Sequence, residues 1–144
     1  MRELNPQLLD YQLAYALGLL YAGRDVGEAF EVLERLADVA QHHPKTRLTR
    51  AMAFLENGQV EEADAELGPL VEEPSESLSV PTLRLLQGRI AVAREQWDVA
   101  NDVFGEIDVA LLSFWERRTL SSLLETHSML RPVLGITAPP SSIQ

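Results

Sequence analysis

The 144-residue sequence contains no cysteine. That excludes disulfides, thiolate metal sites and cysteine nucleophiles, and it suits a reducing compartment. Basic residues are few: 12 Lys and Arg stand against 22 Asp and Glu, a net charge of −10. Such a surface repels phosphate backbones and anionic headgroups, so neither nucleic acid nor a membrane surface is expected as a partner. Long apolar runs are also missing. The most apolar one, Leu13 to Ala22, is far short of the ~20 residues that span a bilayer. The opening MRELNPQLLD has no apolar signal core. A cytoplasmic protein without membrane insertion is expected. There is no Gly-rich phosphate loop, no nucleophile elbow and no H-E-x-x-H, so neither an enzyme nor a cofactor is expected. Adjacent His42 and His43 do not share a helix face, and no carboxylate stands at i+4 from them. With His127 they give no metal site.

What is present is apolar periodicity. Apolar residues make up 46% of the chain, enough to exclude disorder by composition. The spacing is helical throughout, without a strand signal of comparable strength. Asn5-Pro6 starts a first helix, with Leu8, Leu9, Leu13, Ala16, Leu17, Leu20 and Tyr21 in line, stopping near Gly23. A second runs from Val26 to Gln41, and His42-His43-Pro44 ends it. Lys45 to Asn57 is the third. Val60 to Val71 is the fourth, with a kink or early end expected at Gly68-Pro69. EEPSESLS is a loop. Pro81 to Arg94 is the fifth, and Asp98 opens the sixth. Asp108 to Arg131 reads as a further helix with a break around Phe114 to Arg117. The division is a single domain over 1–131 and a flexible tail over 132–144.

One turn recurs. It is plainest in ENGQVEEADAELGPLVEEP, from Glu56 to Pro74, and returns as Gly23 to Ala29 and Glu95 to Ala100. Helix pairs at a period of about 34 residues, with a small residue at each close contact, resemble the tetratricopeptide repeat. Gly58, Val60 and Ala63 match the family's Gly-x-(aromatic)-x-x-Ala turn, with Ala51 and Phe54 before it. Gly88, Trp97, Ala100 and Phe104 fill the corresponding places in the third pair, and Leu17, Gly18 and Tyr21 match Leu-Gly-x-x-Tyr in the first. Three departures stand out. The first turn is one residue longer; Arg47 and Arg50 replace an aromatic and a Leu; Arg84 and Gln87 do so again. The resemblance implies an all-α fold: about three antiparallel helix pairs in a short right-handed solenoid, with a C-terminal capping helix.

In that family the first helix of each pair lines the concave side. By position this implies a partner-binding set of Tyr15, Leu19, Leu48, Met52, Leu55, Leu85, Arg89 and Val92. An apolar groove with a repackable Met suits an amphipathic helix or extended peptide. The second helices are acidic and the first helices of the later pairs carry Lys45, Arg47, Arg50, Arg84, Arg89 and Arg94. An acidic convex side and a mildly basic concave side follow, which leaves an acidic ligand open. The Lys and Asn set of the carboxylate-clamp co-chaperones is absent. The expected function is a non-enzymatic chaperone or adaptor that holds a protein segment. In size, charge and architecture it is similar to the small chaperones of bacterial type III secretion. The alternative is a self-associating structural subunit, a homo-oligomer pairing through Phe114, Trp115 and Leu120.

Overall fold

The computed structural model describes residues 5–36, 38–73 and 75–136. The described residues form helices and no strand. They are α1 (Pro6–Tyr21), α2 (Val26–Glu34), α3 (Asp38–Gln41), α4 (Pro44–Glu56), α5 (Val60–Glu72), α6 (Val80–Ala93), α7 (Trp97–Gly105), a 3₁₀ turn (Val109–Leu111) and α8 (Phe114–Thr126). The chain divides into two compact units, Met1–Leu78 and Ser79–Gln144. In the first, α1 packs on α2 and α4 on α5; in the second, α6 packs on α7. Within each unit this packing is consistent with a helical repeat.

Each pair is closed by the same backbone device. One residue in each turn has positive φ: Gly23 (64°), Gly58 (77°) and Glu95 (57°). Its N–H donates to the carbonyl three residues back, on Leu20, Leu55 and Val92, at 3.0 to 3.1 Å. The next N–H reaches five residues back, to the carbonyls of Leu19, Phe54 and Ala91, at 3.3, 2.8 and 2.8 Å. These paired bonds are the Schellman arrangement that satisfies the last carbonyls of a helix.

Counting back equally from these turns sets Ala16, Ala51 and Gly88 in equivalent places. All three are buried. A Cβ on Gly88 would overlap the Phe104 ring, so α6 and α7 meet there across a bare backbone. The Leu17-Gly18 match is corrected: Gly18 is exposed and a Cβ there would meet nothing. Ala16, fully buried, takes the equivalent place in the first pair.

Three helix boundaries also differ from the sequence reading. The helix expected from Val26 to Gln41 breaks after Glu34, and α3 begins at Asp38. The Gln41 amide explains the break. Its Nε2 donates to the carbonyls of Leu33 (2.8 Å) and Leu36 (3.1 Å), so the turning backbone is not left unsatisfied. By contrast, α5 does not end at Gly68-Pro69 but continues to Glu72. Pro69 removes the donor to the Ala65 carbonyl. Ala65 is exposed, so water can take its place. Finally, the C-terminal break falls at Leu112-Ser113, before α8, and α8 ends at Thr126 rather than Arg131.

The break before α8 is held by a capping box. Glu116 N–H donates to Ser113 Oγ (3.2 Å), and Ser113 N–H donates to Glu116 Oε1 (2.8 Å). The other Glu116 oxygen accepts from Thr82 Oγ1 on α6, which is how a carboxylate comes to be buried. Around it lies the core of the second unit, centred on Phe104, Leu112, Leu120 and Leu130. Val133 belongs to the same core, although the sequence reading places it in a tail; residues 137–144 lie outside the described residues.

Candidate partner-binding surfaces

The residues inferred to line a groove fall into two groups. Met52, Leu85 and Val92 are buried. Leu85 and Val92 are part of the second unit's core. Apolar residues at helical spacing serve the chain's own core first. Tyr15 is exposed, and Leu19, Leu48, Leu55 and Arg89 are partly so.

Around Tyr15 the sequence reading missed two neighbours. Leu8, Tyr11 and Tyr15 recur at the three- and four-residue spacing that puts them on one face of α1. All are exposed, Tyr11 at 77%. The buried residues of α1, Leu9, Leu13, Ala16 and Leu20, form a separate stripe. The two interleaved patterns were legible as a helix with more apolar positions than one core face needs. Tyr15 is fixed in place by its hydroxyl, which donates to Glu28 Oε2 on α2 at 2.8 Å. That hydrogen bond, and the carboxylate charge behind it, push the phenol above its ordinary pKa.

The arginines in apolar repeat positions are engaged internally. Arg47 Nε donates to Glu66 Oε1 at 3.1 Å and Arg50 Nη1 lies 3.5 Å from the same oxygen, all three side chains being partly buried. Arg50 also donates to the Gln41 side chain and backbone carbonyls. In the second unit Arg84 Nη1 donates to the Glu106 carbonyl oxygen at 2.9 Å. These three cations therefore join first to second helices, and the acidic-ligand reading loses its main residues.

Two of the histidines, His43 and His127, make internal contacts as well. The preceding helix stops at Gln41, just before His42-His43-Pro44 as expected, and His43 Nδ1 also accepts from Lys45 N–H at 3.1 Å, capping the start of α4. The His127 ring lies 5.5 Å from that of Trp97. No cluster of metal-ligating side chains exists among the described residues. No described helix is long and apolar enough to cross a membrane.

A second exposed surface lies at the start of α8. Phe114 and Trp115 pack edge to face at 5.3 Å, and Leu111 is exposed just before them. Leu120, grouped with them in the self-association reading, is completely buried and is corrected to a core residue. Beside this patch a surface hollow of about 480 Å³ is bordered by Ile107, Val109, Arg117, Val133 and Leu134.

Part of this chain is similar to aryl-hydrocarbon-interacting protein-like 1 of Mus musculus and of Rattus norvegicus. Each is 42% identical over 74 residues. The similarity covers 48% of this chain and 23% of each relative, so the chain spans less than a quarter of the relatives' length. No family model matches the sequence, and no solved structure matches it.

Proposed function

We propose that this protein is a helical protein-binding module of the tetratricopeptide kind, acting as a small chaperone or adaptor for an amphipathic or extended segment. The observation that carries the reading is the exposed Leu8, Tyr11 and Tyr15 stripe on a first helix. Tyrosine offers a large apolar area with a polar tip, at low cost in side-chain entropy. Leu19, Leu48 and Leu55, on the first helices of the same unit, would extend the contact. The recurring turn supports a three-pair solenoid in which first helices face the partner. The relatives are named for likeness to an interacting protein, which accords with this reading. Nothing in that likeness concerns secretion, so the type III comparison adds no support.

The test is co-purification from the native host with wild type and with a Tyr11→Ala/Tyr15→Ala double variant. A protein retained by the wild type and lost by the variant, at unchanged circular dichroism, is the expected outcome. Equal retention by both would remove the α1 face from the binding surface.

A further inference from the structure

The start of α8 combines three features. Leu111, Phe114 and Trp115 are 64%, 67% and 46% exposed. The charged residues that follow them directly in sequence include Arg117 and Arg118. The one acid in this stretch, Glu116, is turned inward to Ser113 and Thr82. Arg117 donates to the Val109 and Ala110 carbonyls, which orient it without cancelling its charge. Arg118 lies 5.9 Å from the centre of the Trp115 ring. Among the described residues neither arginine forms an ion pair. Asp108, an exposed acid, borders the same surface hollow as Arg117, so in a chain of net charge −10 the basic part of this apolar ridge is Arg118 by the Trp115 ring, with Arg117 next to it in sequence.

We propose that this ridge is a second docking surface, separate from the α1 face, and that it takes an acidic amphipathic helix from another protein. The apolar side chains of such a helix would cover Leu111, Phe114 and Trp115. Its carboxylates would meet Arg118 and Arg117 at the rim. Aromatic and arginine side chains are the types that most often dominate binding energy, and opposite rim charges select the partner. A second copy of this chain fits less well. Two-fold pairing sets the same patch against itself, and the one acid of residues 111–118, Glu116, is turned inward, so these residues of a second copy offer the arginines no carboxylate.

The test uses two synthetic helical peptides with identical leucine faces, one carrying glutamates on the opposite face and the other lysines. Each is fluorescently labelled and titrated with the full chain. The acidic peptide is expected to bind, more weakly as salt rises, and the lysine peptide at least about tenfold less tightly. Arg118→Glu should remove or reverse that preference, and Phe114→Ala should weaken binding of the acidic peptide. The Tyr11→Ala/Tyr15→Ala variant should bind it as wild type does, which separates this surface from the α1 face. No preference between the peptides, no binding of the acidic one, or wild-type binding by Arg118→Glu would overturn the proposal. So would a concentration-dependent dimer that Arg118→Glu abolishes in sedimentation equilibrium, since the occupant would then be a second copy.

Discussion

Gly88 and Glu95 lie close together in sequence and fit their places with opposite success. Gly88 is small because the Phe104 ring fills the space of its missing side chain. Gly88→Ala should destabilise the protein by about 1–3 kcal/mol, since an added methyl in a packed core forces neighbours aside; chemical denaturation would measure it. A cost near zero would mean that the ring moves freely. Glu95 occupies the positive-φ position that Gly23 and Gly58 hold in the other turns. Glu95→Gly should therefore raise stability by about 1 kcal/mol, the strain of a left-handed side-chain residue exceeding the entropy glycine adds to the unfolded chain. Thermal denaturation of the two proteins side by side would measure the gain. The close contact at Gly88 was legible in the sequence. The equivalent, buried place of Ala16 was not, because Leu17-Gly18 spells the family pattern better than Ala16 does. Only the positive-φ turn sets the count.

At the scale of elements, the helix pairs could be read from periodicity, but the break after Glu34 could not. Leu33, Leu36 and Ala40 keep helical spacing straight through it, and a long-range side-chain amide takes up the freed carbonyls. Gln41→Leu should cost about 1–3 kcal/mol in urea denaturation, since the Leu36 carbonyl loses the Gln41 amide as donor while the Leu33 carbonyl keeps only the Leu36 N–H, at 3.3 Å. An unchanged midpoint would show that water replaces the amide. The α8 start is the opposite case. Ser113 and Glu116, three residues apart, spell a capping box in plain sequence, and apolar periodicity alone sets the break a little late. The same limit applies to the groove: spacing identifies the apolar face of a helix, but not whether the chain or a partner covers it. Met52 and Leu85 are buried while Tyr15 is exposed, although all three sit on first helices.

For the whole molecule, charge is the dominant surface property. With 22 acids against 12 bases, the folded chain repels itself more than the unfolded one. Raising salt from about 0.01 to 0.5 M shortens the range of that repulsion several-fold. The thermal midpoint should rise accordingly. The ion pairs act in the other direction, but exposed ones such as Lys45 with Asp10 contribute little. A midpoint that falls with salt would mean that the partly buried Glu66 pairs with Arg47 and Arg50 outweigh the global repulsion.

The turn at Gly58 also bears on how the protein ages. Asn57-Gly58 is a dipeptide whose side-chain amide is lost when the glycine nitrogen attacks it and closes a five-membered ring. In the folded chain that nitrogen is held in the turn, its N–H donating to the Leu55 carbonyl at 3.1 Å. The attacking atom is thus restrained for as long as the turn is closed. Slow conversion of Asn57 to aspartate and its isomer, followed by peptide mass spectrometry on stored protein, would then act as a clock for the opening of this one turn.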